Sequence, residues 1–248
     1  MISYQASPGL LQDRIILITG AGDGIGKAAA TACAALGATV ILAGRTVAKL
    51  EQVFDQIVAA GDPEPVIYPV DLEGATGEDY DELAVNIDQQ FGRLDGLLHN
   101  AAILGQRTPL SNYRQDVWDK ALQVNVTAQF KMTQALMPVL EKSADASIVF
   151  TTSSVGRQGR AFWGAYAVSK FATEGMMQTW AAEVEGLGSM RVNAINPGGT
   201  RTQMRAQAFP AENPNSLKTG EDIMPAYLYL LGPDSAGVNG QSIDAQIR

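Results

Sequence analysis

The sequence predicts an α/β fold, a doubly wound parallel sheet covered by helices on both faces to give three layers. Three observations carry that expectation. Short apolar runs alternate with helical stretches along the chain. Most of those runs are continuous rather than alternating, the pattern of strands buried on both faces. The first run leads directly into a glycine-rich turn and then an amphipathic helix, the opening of a βαβ unit. No linker-like or low-complexity segment divides the 248 residues, so one domain over residues 1–248 is expected.

The strand candidates, in order, are Arg14–Thr19, Thr39–Ala43, Val66–Val70, Leu94–His99, Ser147–Thr152 and Arg191–Ile195, with a last short one near Ser242–Ala245. Between them, Ile25, Ala29, Cys33 and Leu36 recur at helical spacing, and Gly37 is a natural stop. Further helices are expected over about Val47–Ala60, Asp79–Phe91, Gln115–Leu140 (with Pro138 in its last part) and Tyr166–Val184. The Pro/Asn-rich stretch Phe209–Ser216 reads as a loop beside a site. Strand–helix alternation of this kind implies right-handed crossovers.

Composition narrows the function classes. The chain is 46% hydrophobic and 18% charged, unlike a disordered or coiled-coil sequence. A formal net charge of −8 argues against a non-specific grip on nucleic acid or an anionic membrane. Cys33 is the only cysteine and His99 the only histidine, which excludes an intramolecular disulfide framework and any multi-cysteine or multi-histidine metal site. No metal is therefore expected. The first positive charge is Arg14, with no basic segment leading into an apolar one, and the uncharged run Ala28–Gly44 is divided by Gly37. A soluble protein of a reducing compartment, the cytoplasm, is the expectation.

The glycine turn reads Thr19-Gly20-Ala21-Gly22-Asp23-Gly24-Ile25-Gly26. Glycines between a strand and a helix let backbone N–H groups approach a pyrophosphate at the helix N-terminus. A P-loop fails because Ala21 and Ala28 stand where Gly and Ser/Thr are required, and G-x-G-x-x-G from Gly20 fails at Ile25. T-G-x-x-x-G-x-G remains, with Gly20, Gly24 and Gly26. The second strand ends Ala43-Gly44-Arg45-Thr46 and carries no acid for a ribose 2′-hydroxyl. Arg45 can instead pair with a 2′-phosphate, which favours NADP(H) and leaves NAD(H) possible. An ordinary solvated arginine is the alternative, and the nearby Asp23 opposes the phosphate reading.

Tyr166 and Lys170 lie four apart at the start of a helix and share a face. A neighbouring ammonium favours phenolate and is expected to bring a phenol toward the working range of an acid–base group. Ser153 leaves the fifth strand thirteen residues earlier, where strand C-terminal ends gather at a ligand crevice. Adjacent strand residues face opposite ways, so only one of Ser153 and Ser154 can reach the site. Asn125 lies in the long helix, where an ordinary helix-face amide is an equal alternative.

Together these motifs resemble the short-chain dehydrogenase/reductase family over almost the whole chain. The matching residues are Thr19–Gly26, Asp71-Leu72, His99-Asn100-Ala101-Ala102, Asn125, Ser153, Tyr166, Lys170 and Pro197-Gly198-Gly199-Thr200. Ser153–Tyr166 and Asn196–Arg205 look closest to the YciK-like branch of bacterial oxoacyl-(acyl-carrier-protein) reductases. The resemblance implies a Rossmann fold and hydride transfer between NADP(H) and a carbonyl or secondary alcohol. In it Tyr166 is the general acid or base, Lys170 lowers its pKa and holds the nicotinamide ribose, Ser153 orients the carbonyl, and Asn125 holds a relay water. It also implies cofactor contacts from Gly20, Gly22, Asp23, Gly24, Ile25, Gly26, Arg45, Asp71, Leu72, Asn100, Ala101, Tyr166, Lys170, Pro197, Gly198 and Thr200. Ala102 stands where many members have glycine, and His99 reads as a strand-end residue.

Phe162, Trp163, Met204 and Phe209 are expected to cover the reaction face, with Arg157, Arg160, Arg201 and Arg205 around them. They suggest an apolar carbonyl or alcohol substrate, with an acidic group on it or on a carrier; packing and solvation are the alternative. A homotetramer or homodimer through the two long helices is expected, using Ala167, Phe171, Met176, Met177 and Trp180. The competing functional class is a cofactor-binding sensor or scaffold, which would need the dinucleotide site alone.

Overall fold

The computed structural model describes residues 4–186 and 190–246. Seven strands form one parallel sheet in the order β3-β2-β1-β4-β5-β6-β7. They are β1 (Ile15–Thr19), β2 (Thr39–Gly44), β3 (Val66–Pro69), β4 (Gly96–His99), β5 (Ala146–Thr151), β6 (Met190–Asn196) and β7 (Ser242–Asp244). Each lies within about two residues of its expected place. The helices are α1 (Gly24–Ala35), α2 (Val47–Ala60), α3 (Gly77–Phe91), α4 (Gln115–Leu122), α5 (Ala128–Leu140), α6 (Gly164–Glu183), α7 (Gln203–Ala208) and α8 (Met224–Leu231).

Alternate residues of each strand feed two cores. Ile16, Ile18, Val40, Leu42, Leu98, Val149 and Ile195 pack with α1, α2 and α8 on one face. Leu17, Ile41, Leu97, Ile148, Phe150 and Val192 pack with α3, α5 and α6 on the other. Burial on both sides is why the strands read as unbroken apolar runs. The N-terminal strand ends are tied by charge. Arg14 and Arg191 both pair with Asp145, and Asp95 accepts from Arg93 and Ser143. The opposite, C-terminal ends are left to loops, and the chain order reverses between β1 and β4. That is where ligands lodge in open α/β sheets.

Three expectations need correction. The helix expected over Gln115–Leu140 is α4 and α5 joined by a π-helical segment, Gln123–Thr127. Such wide turns cluster at functional sites, and this one contains Asn125. Second, the sequence pattern does not predict α7 or α8. The α8 sequence is apolar all round and nearly all buried, so no helical stripe marks it. Third, Ala167 and Met177 face inward, 7% and 0% exposed, and belong to the core rather than to an outer surface. Phe130, Val168 and Phe171 are the exposed large apolar residues of α5 and α6. Among the described residues no helix is long and apolar enough to cross a membrane.

Candidate active site

A cleft of about 460 Å³ runs along the C-terminal ends of β1, β2, β4, β5 and β6. The turn after β1 forms its floor. Gly20 has φ +68°, a left-handed conformation open to glycine. A Cβ on Gly26 would lie 2.1 Å from the Gly20 carbonyl oxygen and 2.6 Å from Asn100 Nδ2. The third glycine therefore does not line the cleft; its bare backbone lets α1 close onto the turn. Asp23 caps α1, accepting from the Gly24 N–H at 2.7 Å, and pairs with Lys49 at 2.5 Å. Lys49 and the capped amide hold its carboxyl below the usual range. This answers the charge objection raised by the sequence, since Asp23 carries its own cation.

Asn100 braces the turn. Its Nδ2 donates to the Thr19 carbonyl at 3.2 Å, and the N–H groups of Asn100 and Ala101 both donate to the Thr19 hydroxyl. At the far end, Arg45 is exposed and lines the cleft with Asp71 and Leu72. Among the described residues no carboxylate pairs with Arg45. Pro197, Gly198 and Thr200 form the other wall. That wall is locked by Gln246, whose Nε2 donates to the carbonyls of Pro197 and Gly199. Gln246 had no signature in the sequence, because its contact depends on the chain returning through β7.

The opposite end collects Ser153, Tyr166 and Lys170. Ser153 faces the cleft, but not by strand alternation: β5 has already ended at Thr151, and Ser153 caps a short 3₁₀ turn over Ser154–Gly156. Lys170 Nζ lies 5.6 Å from the Tyr166 ring centroid and donates to the Thr151 carbonyl at 2.7 Å. The expected lowering of the phenol is not what this packing produces. Burial pushes Tyr166 up to about 12, opposed only by the Ser153 hydroxyl. Burial also draws Lys170 down to about 8, with Glu174 opposing. The phenol thus keeps its proton at neutral pH while the amine titrates close by.

Asn125 is fully buried and does not line the cleft. Its Oδ1 accepts from the Ile103 N–H at 2.8 Å, and its Nδ2 donates to the Ile103 carbonyl and to Ser169 Oγ. The π-helical turn thereby fastens the loop after β4 to α6.

His99 is buried, stacked on Phe150 at 4.8 Å, with Nε2 2.8 Å from Thr133 Oγ1. Burial, with Lys170 adding to it, depresses its pKa to about 3. An unfolded chain takes up this proton near 6.5, so the neutral imidazole contributes stability above that pH which is lost as pH falls toward 3. The loss amounts to about 2 kcal/mol by pH 5. A His99→Gln variant is expected to show a flatter decline of urea stability between pH 7 and 5. Parallel profiles would refute this account.

Trp163, Met204, Arg205 and Ala208 line the reaction end together with Ile103 and Leu104. Phe162 is 53% exposed and lies outside it. The expected ring of free arginines is largely spent on protein partners. Arg157 pairs with Glu174 and Asp244, Arg205 with Glu212, and Arg201 donates to the Pro214 carbonyl. Arg107, which the sequence did not single out, lies against Trp163.

Comparison with known proteins gives concordant results. The family profile described as short chain dehydrogenase matches residues 14–213. The oxidoreductase YciK of Escherichia coli K12, whose own reaction is uncharacterized, is 55% identical over 98% of this chain and 96% of its own. A Shigella flexneri protein crystallised with NADP is 54% identical, with a TM-score of 0.95 over 97% of this chain and 100% of that one. A protein from Escherichia coli CFT073 crystallised with NADPH is 56% identical, with a TM-score of 0.94 over 96% and 99%.

Proposed function

Given that the chain belongs to the short-chain dehydrogenase family, we propose that this oxidoreductase is an NADP(H)-dependent carbonyl reductase, acting in reverse as a secondary-alcohol dehydrogenase. The observation that carries this reading is one continuous cleft with the exposed Arg45 at one end and Ser153, Tyr166 and Lys170 at the other. The cradle fits a dinucleotide: the α1 N-terminus and the turn from Gly20 to Gly24 would take the pyrophosphate, Asp71 and Leu72 the adenine, and Arg45 a 2′-phosphate. Asn100, Ala101, Pro197, Gly198 and Thr200 would flank the nicotinamide half. Bound there, NADPH supplies the hydride.

The chain's own residues supply the rest. Ser153 hydrogen-bonds the carbonyl oxygen and orients it. Tyr166 donates its phenolic proton to that oxygen as negative charge develops on it, and its high pKa keeps the proton in place until then. The Lys170 ammonium, near the ring, stabilises the phenolate left behind, which recovers a proton from solvent. Asn125 supports this end by holding the loop at Ile103, and a relay water beside it would belong to the same path. Leu104, Trp163 and Met204 suit an apolar body on the substrate, carrier-linked or free.

Exposed Phe130, Val168 and Phe171 support assembly into a homodimer or homotetramer through α5 and α6. The buried, free Cys33 suits the reducing cytoplasm.

A carbonyl panel followed by loss of nicotinamide absorbance, with NADPH and NADH in parallel, tests the reading. Arg45→Asp is expected to cut the NADPH-over-NADH preference in kcat/KM by about 10- to 100-fold, the worth of one charge-assisted contact. An unchanged preference would remove Arg45 from the phosphate site. Absence of turnover with tight NADPH binding would favour the sensor.

A further inference from the structure

We infer that Arg107 is a positioning residue that sets the far wall of the substrate site and thereby limits substrate size. This rests on the carbonyl-reductase reading. Arg107 leaves the loop that follows β4 and does not itself line the cleft. Its guanidinium carbon lies 4.4 Å from the Trp163 ring centroid and 5.0 Å from that of Phe209. Its Nη1 donates to the Ala208 carbonyl at 2.6 Å, at the end of α7. Two of the residues it touches, Trp163 and Ala208, do line the cleft.

These contacts join the loop after β4, the residue that precedes α6, and the end of α7. The Trp163 ring centroid is 5.7 Å from that of Tyr166 and 5.8 Å from that of Phe209. Trp163 is therefore the wall facing the reacting phenol, and Arg107 stands behind it. The six-residue α7 buries none of its residues. Only Met204 and Ala208 rest on the apolar cluster of Leu104, Val155, Tyr166 and Ala167, a small footing for a helix, so directed polar contacts add to its hold. Arg205 is one anchor, its guanidinium 3.8 Å from the Phe209 centroid and gripped on two nitrogens by Glu212 at 2.6 Å. Arg107 is another. Unlike Arg205, it has no carboxylate partner among the described residues, so its flat cation is committed to two aromatic faces and one carbonyl.

Removing that cation frees Trp163 and the end of α7 to move outward. The wild-type wall suits a ketone of small apolar body beside Tyr166, and the loosened wall admits larger ones at the expense of small ones. A lysine keeps the charge without the planar fork that stacks and bonds at once, so it should restore the wall only in part.

The test compares wild type, Arg107→Ala and Arg107→Lys with ethyl 3-oxobutanoate and ethyl benzoylacetate. Both turnover and calorimetric titration of each ketone into the NADP⁺-loaded protein are measured. For Arg107→Ala the small-over-large preference is expected to fall at least tenfold, through a higher KM for the small ketone at a kcat within threefold. NADPH affinity should stay within twofold, and Arg107→Lys should lie between. Tryptic cleavage after Arg201 and Arg205 should also quicken in Arg107→Ala. An unchanged ketone preference overturns the inference, even if cleavage quickens, because Arg107 would then hold α7 without shaping the site. If both ketones bind with the expected shift in preference but neither is reduced, the inference stands and the reductase reading falls. If neither ketone binds, both fall.

Discussion

Tyr166→Phe is expected to lower ketone reduction by about 10²–10⁴-fold, the range for a positioned general acid, with NADPH affinity within about twofold of wild type. The substitution removes one oxygen and keeps the ring that packs beside Trp163, so the cleft should keep its shape. Fold loss is not a competing explanation, because the residue stays apolar at a site 8% exposed. Burial sets the pH behaviour. With its phenol pushed up to about 12, Tyr166 remains protonated through the neutral range and imposes no pH dependence there on reduction. The alkaline limit should come from Lys170, drawn down to about 8. Above that pH the ammonium is lost, the developing phenolate loses its counter-charge, and the rate falls. Single-turnover rates against pH, with NADPH affinity measured separately, check both statements. A Tyr166→Phe rate within tenfold of wild type would defeat the mechanism.

Gly26→Ala is expected to be as damaging by another route. The added methyl would meet the Gly20 carbonyl at 2.1 Å and the Asn100 amide at 2.6 Å. The first is backbone of the turn itself, and the second is the side chain that braces it. Neither can give way without lifting α1 off the turn and spoiling the pyrophosphate cradle. NADPH affinity should drop by more than 100-fold, with a loss of stability of about 1–3 kcal/mol, typical of overpacking. Gly175→Ala is the control. Gly175 is exposed within α6 and its Cβ would meet nothing within 4 Å, so alanine there should raise stability by up to about 1 kcal/mol. Isothermal titration with NADPH and urea unfolding of both variants distinguish a steric requirement from a general dislike of change.

The strands, the glycine turn and the Tyr166/Lys170 pair were legible because each is a local pattern. A continuous apolar run, a glycine count or a four-residue spacing needs no knowledge of distant segments. The same locality explains the errors. Nothing in Gln123–Thr127 marks a π-helical turn, since its extra residue is held by Asn125 reaching across to Ile103 and Ser169. The apolar faces assigned to α6 were partly wrong because Ala167 and Met177 meet partners on other elements. A four-residue spacing shows the ammonium beside Tyr166 but not the depth of burial, and burial sets the phenol high here.

By itself, then, the sequence determined the seven strands and their order, the helices α1, α2, α3 and α6 between them, the glycine turn, and the shared helix face of Tyr166 and Lys170. It did so through backbone propensity, apolar periodicity and the glycine positions, all of which act over a few residues. The tertiary structure alone decided that Arg45 has no carboxylate partner among the described residues while Asp23 is neutralised by Lys49, that Gln246 locks the Pro197–Thr200 wall, and that Arg107 backs Trp163. The reason is physical. These outcomes are set by which charges and carbonyls come within a few ångströms after the sheet has brought distant loops together, and electrostatics and desolvation at that range depend on position, not on order along the chain.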